Sequence, residues 1–428
     1  MSPKQRWLTV AATLLAAVAF ATLSHLRLSH AAGTVRVNDV VFGADTLENL
    51  NGLLAGKYGI VDPRKHALAQ IVFAVLTAPQ RWLGISPLGS AINTMALLAG
   101  LLAASFVVLC IRIGASLPLA LASCLFLFST NAVSFQTALF ETHVLTALST
   151  VLAILLFLEL ANRVVDRPIG CAVLAGIAAG IAGLANTPAA ASALVYASLA
   201  WGRLEGRPRF TRAWLSAGVP CAIALSLALS PSVARDFGHH AAPLQWAAQY
   251  TNHWADIGNF TNGSLSADYW ATNAFLSWVS IGVEPTCRYI ASDVLRLWHL
   301  PLALFAVVGC LALVAYAARR ITRDRGATPL AVGLMIVCGV YLAFYWYFNA
   351  WEAMLYSSQW MLLLIGFIVL GAKGTRWAAL GVLAVGLAMF VSNEPLRWPA
   401  RETYAAACPP DHFPPWGQAA STLSPSAP

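Results

Sequence analysis

Three carboxylates, Asp39, Asp45 and Glu48, fall close together in Asn38-Asp39-Val40-Val41-Phe42-Gly43-Ala44-Asp45-Thr46-Leu47-Glu48-Asn49-Leu50. A carboxylate of such a group can take the proton of an attacking hydroxyl, as a general base does. Leu47, Leu50, Leu53 and Leu54 share one face at helical spacing, which puts Asp45 at the N-cap of that helix. Cap and base are both open readings for Asp45. The next cluster is Asp62-Pro63-Arg64-Lys65-His66. Arg64 and Lys65 can hold a phosphate through charge-assisted bonds, or serve only as anchors reaching to lipid head groups. His66 fits either role. Two further acids stand elsewhere: Glu141 in Phe140-Glu141-Thr142-His143, and Glu352 in Trp351-Glu352-Ala353-Met354-Leu355-Tyr356. Acids at one membrane level, contributed by segments far apart in sequence, can converge on one cavity.

The elements that must position these residues are membrane helices. Of 428 residues, 59% are hydrophobic and only 10% charged, and the mean hydropathy is +0.68. Soluble domains carry about 25% charged residues. Length would otherwise suggest two or three soluble domains; the composition excludes them, and with them a disordered chain. Transmembrane barrels alternate apolar and polar residues, whereas Met95 to Cys110 is a near-continuous apolar run. An all-α polytopic membrane protein is expected. Its spans read as 7–25, 90–111, 116–135, 142–161, 168–186, 187–202, 212–232, 299–318, 327–348, 357–372 and 375–392, about eleven in all.

The short apolar stretch 67–78 is read as an interfacial helix, because the charges then sort. Lys4, Arg6, Arg112, Arg163, Arg167, Arg203, Arg207, Arg209, Arg212, Arg319, Arg320, Arg323, Arg325, Lys373 and Arg376 all fall on the cytoplasmic side. The first span is expected to remain uncleaved, its apolar run being longer than a signal core. The net charge of +8 reflects this placement and implies no nucleic acid. Two large outer loops follow, 26–89 and 233–298, and 393–428 forms an outer tail, partly disordered, beyond a membrane domain 1–392.

The second outer loop is rich in aromatics, including Trp246, Tyr250, Trp254 and Trp270. They suit a membrane interface, and some could stack on sugar faces. His239, His240, His253 and Asp256 match no metal-ligand spacing. No cofactor is implied, a divalent metal staying an open alternative. Cys287 and Cys408 stand outside the spans, in an oxidising compartment on this topology, and are expected to form a disulfide. The other six Cys lie in apolar runs as small hydrophobes. Gly176, Gly180 and Gly183 fit close helix packing.

The arrangement resembles the GT-C superfamily of integral-membrane glycosyltransferases, such as the protein O-mannosyltransferases and the transferases that modify lipid A. The resemblance rests on four elements. They are the acid-bearing Phe42-Gly43-Ala44-Asp45 after span 1, Arg64-Lys65-His66-Ala67-Leu68, Phe140-Glu141 after span 3, and Glu352-Ala353-Met354-Leu355-Tyr356-Ser357 opening a late span. Ala67 stands where relatives often have Pro, and the paired acids of the family are spread here over Asp39, Asp45 and Glu48. The resemblance implies a polyprenyl-phosphate-linked sugar as donor and a lipid, glycan or protein acceptor, with inverting transfer at the outer face of a bacterial inner membrane. It implies Asp45 as base, with Asp39 and Glu48 as alternatives. Arg64, Lys65, His66 and Arg288 (or Arg296) would hold the donor phosphate. Glu141, His143, Glu352 and Tyr356 would bind substrate. The N-terminus would be cytoplasmic and the C-terminus periplasmic. The rival reading is a transporter or flippase for a lipid-linked sugar, which would place polar residues and broken helices at mid-membrane. A structural membrane subunit is the second rival.

Overall fold

A computed structural model describes residues 2–31, 63–237, 301–348 and 353–407. Every element among them is helical. The long helices are α1 (Pro3–Ala31), α2 (Pro63–Trp82), α3 (Pro87–Arg112), α4 (Leu117–Ser129), a short α5 (Asn131–Gln136) and α6 (His143–Arg163). Next come α7 (Pro168–Ala185), a 3-10 turn (Thr187–Ser192), α8 (Ala193–Arg203), a short α9 (Arg209–Ala213), a π turn (Trp214–Gly218) and α10 (Val219–Phe237). The last four are α11 (Pro301–Ile321), α12 (Thr328–Phe348), α13 (Ala353–Ala372) and α14 (Arg376–Ala407).

Among the described residues, seven helices are long and apolar enough to cross a membrane. They are α1, α3, α6, α7, the stretch Arg209–Ser230, α11 and the first part of α14. Leu117–Ser129, Thr328–Phe344 and Ser357–Ala372 are apolar but shorter by the same measure. The outside of the bundle is apolar. Leu14, Leu15, Val18, Leu101, Leu152, Leu174 and Leu311 are exposed, while Ser, Thr, Asn, Gln and Glu side chains are buried. Water would penalise that exposed apolar belt; lipid does not. The described chain is all-helical, and its apolar helices fit a polytopic membrane protein.

Turn chemistry sets the helix ends. Ser86 caps α3 by accepting from the Gly89 amide at 3.1 Å, with Pro87 at the first helical position. At the far end of the same helix Gly114 adopts φ +97°, and Gly374 after α13 adopts φ +77°, conformations that a side chain disfavours. Helices then pack through small residues. A Cβ on Gly180 would fall 2.7 Å from Leu227 Cβ, and one on Gly183 would fall 2.6 Å from Ala228 Cβ. The α7 and α10 backbones therefore approach as closely as small residues allow, in line with the expected small-residue stripe.

Several boundaries depart from the hydropathy reading. The run 116–135 is not one span: α4 ends at Ser129, and Thr130 is extended with φ −60° and ψ 145°. The polar run Ser129-Thr130-Asn131 ends the helix that the apolar count carries through. The run 187–202 begins with a 3-10 turn rather than an α-helix. The helix α14 outlasts its apolar stretch and continues to Ala407. The interfacial stretch 67–78 lies within the longer α2, which is kinked at His66.

Contacts define two ends of the bundle. At one, Arg112 pairs with Glu159, Arg203 Nη2 donates to Asn162 Oδ1 at 3.2 Å, and Lys373 Nζ meets Asp324 Oδ2 at 2.9 Å. Lys373 also lies against Gly114, which joins these pairs into one face. The basic clusters of the sequence gather at this end. The other end holds buried polar side chains.

Candidate functional site

The polar end is organised around the connection between α4 and α6. Every described side chain from Thr130 to Thr142 is buried. Connecting segments normally lie on the surface, because a buried one must satisfy its own backbone. This segment does so locally. The Thr130 hydroxyl donates to Leu127 O at 2.7 Å, Ser134 to Thr130 O at 2.8 Å, and Thr137 to Ser134 O at 3.1 Å.

Four other elements reach into the segment. From α1, Ser24 Oγ donates to Thr137 O at 2.5 Å, while Arg27 Nη1 approaches Ser134 O at 3.5 Å and Thr137 Oγ1 at 3.4 Å. Arg27 is only 2% exposed, a charge held in the interior by oxygen acceptors. From α14, Asn393 Nδ2 donates to Ser129 O at 2.6 Å. From α13, Gln359 Nε2 donates to His143 Nδ1 at 3.2 Å. From α2, His66 Nδ1 lies 2.8 Å from Ala185 O and 3.0 Å from Thr142 Oγ1.

These contacts assign the imidazole protons. A carbonyl oxygen only accepts, so His66 carries its proton on Nδ1. An amide nitrogen only donates, so Nδ1 of His143 is unprotonated. The two rings stand edge to face, 6.4 Å apart. Glu141 is 4% exposed, and its Oε2 accepts the Thr142 amide at 3.2 Å. That places its carboxylate at the N-terminus of α6, where the helix dipole favours a negative charge.

Some polar atoms at this end have no partner. Gln136 is 1% exposed, and among the described residues neither its Oε1 nor its Nε2 makes a hydrogen bond. The hydroxyls of Ser129, Ser358 and Ser392 are buried in the same condition. An unsatisfied buried amide costs about 1–3 kcal/mol, and such groups in a folded protein call for an explanation. The amide can donate and accept at once. Most of the groups here are neutral hydrogen bonders, with Arg27 and Glu141 the charged side chains among them.

Of the residues singled out in the sequence, the fold joins Glu141 and His143 with His66. Arg64, Lys65 and Tyr356 lie on helical backbone in α2 and α13. Asp39, Asp45, Glu48, Arg288, Glu352, Cys287 and Cys408 lie outside the described residues. Arg27, Gln136, Gln359 and Asn393 were not expected. Their signal is faint: an amide or a guanidinium at the edge of an apolar run. Among the described residues no three of His, Cys, Asp and Glu gather as metal donors. The other six cysteines are free thiols, five buried and Cys221 half-buried.

No protein-family model, no curated protein and no solved structure matches the chain.

Proposed function

We propose that the protein is an integral-membrane glycosyltransferase that moves a sugar from a polyprenyl-phosphate carrier to a lipid, glycan or protein acceptor. The carrying observation is the buried connection 130–142, with Glu141 at its end and, within it, the amide of Gln136, which makes no hydrogen bond among the described residues. A cluster of neutral hydrogen bonders with one carboxylate, at one end of a membrane bundle, suits a sugar presented from a lipid.

In the proposed step the acceptor hydroxyl oxygen attacks the anomeric carbon from the face opposite the carrier. A new C–O bond forms as the bond to the phosphate oxygen breaks, and the configuration inverts. Asp45 takes the hydroxyl proton, with Asp39 or Glu48 as substitutes. The polyprenyl phosphate leaves with its electron pair, and Arg64 and Lys65 neutralise the charge it gains. Glu141 and Gln136 orient sugar hydroxyls. The alternation of the helices between the two ends supports about eleven passes, with α4 and α8 as the short members. The basic end is then cytoplasmic, the polar end periplasmic, and the membrane a bacterial inner membrane.

A flippase for the same lipid is the rival. It calls for charged groups and broken helices at mid-depth, whereas the charged side chains of the seven span-length helices lie near the helix ends. The test supplies membranes with labelled polyprenyl-phosphate sugars. Wild type should transfer label, and Asp45→Asn should lower the rate on the order of 10²- to 10⁴-fold. Unchanged transfer by Asp45→Asn removes Asp45 as base. Movement of the sugar-lipid across vesicles without any transfer establishes the flippase.

A further inference from the structure

A second constellation lies at the basic end and takes no part in the proposed transfer. Arg320, Ile321, Arg323, Asp324, Leu370, Gly371 and Lys373 line a pocket of about 160 Å³, on the order of ten times what one water needs. It lies between the last turn of α11, the turn that follows, and the end of α13. Three cations face one carboxylate.

That carboxylate is already engaged. Asp324 Oδ1 accepts the amides of Gly326 at 3.1 Å and Ala327 at 3.2 Å, and Oδ2 meets Lys373. Asp324 thus positions Lys373 and leaves the two guanidinium groups unbalanced. Among the described residues neither Arg320 nor Arg323 has an acidic partner.

The floor is rigid and apolar. Ile321 and Leu370 are buried, and a Cβ on Gly371 would fall 2.4 Å from Ala317 Cα, so α11 and α13 are pressed together beneath it. Four residues on from Lys373, Trp377 is 82% exposed, a side chain type that suits head-group level. Orienting the chain in the membrane needs only diffuse positive charge. It does not call for a concave site with a clamped lysine.

We propose that this pocket binds a phosphate group, presented by an anionic phospholipid whose acyl chains lie along the exposed side of α11. Guanidinium forks match phosphate oxygens in pairs, and basic pockets between membrane helices suit such head groups. Binding there would hold the α11–α12 turn against α13.

The test uses the full-length protein in zwitterionic nanodiscs. It reads binding by native mass spectrometry and by the shift in melting temperature. The probes are phosphatidylglycerol, phosphatidylcholine and inorganic phosphate. Wild type should bind phosphatidylglycerol and be stabilised by it, but not by phosphatidylcholine. Arg320→Gln with Arg323→Gln should weaken that binding on the order of thirtyfold. Arg319→Gln with Arg325→Gln removes the same charge from the same end outside the pocket, and should change binding less than threefold. Equal losses in the two double variants would overturn the pocket in favour of diffuse charge. Stabilisation by inorganic phosphate as strong as by the lipid would overturn the lipid as source. Should the glutamine pair fail to fold, Arg320→Lys with Arg323→Lys keeps the charge, and full retention of binding by it overturns the role given to the guanidinium geometry.

Discussion

The two ends of the bundle handle polarity in opposite ways. At the basic end charges sit at the surface, where solvent and head groups solvate them. Arg112 and Glu159 are about half exposed, and the Lys373–Asp324 pair is part-exposed. At the other end the polar groups are buried and mostly uncharged; many pair across five elements, while Gln136 makes no side-chain hydrogen bond among the described residues. The difference teaches where each kind of group can do work. Exposed charge fixes orientation and meets phosphates, but each pair adds little stability. Buried neutral polarity is costly unless matched, so it specifies geometry and discriminates ligands.

The largest effect that separates the ends is expected for Arg27→Met. It keeps an apolar stem but removes the group reaching Ser134 O and Thr137 Oγ1. A loss of about 2–3 kcal/mol is expected, read as a lowered melting temperature in detergent. A loss below about 0.5 kcal/mol would break the contrast, because the buried end would then tolerate mutation as a surface does.

Gln136→Leu sharpens it in the other direction. The amide is buried without partners among the described residues, so replacing it should leave stability unchanged or raise it by up to about 1–2 kcal/mol. Sugar transfer should fall about tenfold in the same variant. A destabilised protein with full activity would make Gln136 a structural group.

At the basic end the effects are smaller and depend on pH. The Lys373 ammonium, hydrogen-bonded to Asp324, and then the Ala327 amide hold that carboxyl below its ordinary range. A depressed carboxylate contributes stability above the unfolded value of about 4, and the contribution is lost as pH falls through the folded value. Wild type should therefore lose melting temperature below about pH 4 more steeply than Asp324→Asn, and added salt should narrow the gap. Parallel curves would show that the pair contributes nothing measurable.

The smallest effect is expected for exchanging the pair, Arg112→Glu with Glu159→Arg. Exposed ion pairs contribute about 0–1 kcal/mol, so the double exchange should remain within about 1 kcal/mol of wild type by thermal denaturation. A larger loss would show that the basic end is packed more like the polar one.

Much of this molecule is legible from residue types. An apolar run long enough to span must become a helix in lipid, where the backbone has no other partner. The six cysteines in such runs are accordingly free thiols in helices, and the glycine stripe of α7 meets a neighbouring helix. Hydropathy failed at Thr130, because a window average passes over a few polar residues that locally end a helix. It also carried no signal for Arg27, Gln359 or Asn393, each of which reads alone as a residue at the end of an apolar run.

The sequence by itself determined the membrane setting, the all-helical class and the gathering of basic residues between spans, since these follow from solvation of one residue at a time. Tertiary structure alone decided that the connection 130–142 is buried, that His66, Glu141, His143 and Gln359 meet at it, and that Asp324 clamps Lys373 beside two arginines with no acidic partner among the described residues. Those are pairings between segments up to hundreds of positions apart. Their energy comes from distance and from exclusion of water, and neither quantity exists until the helices pack.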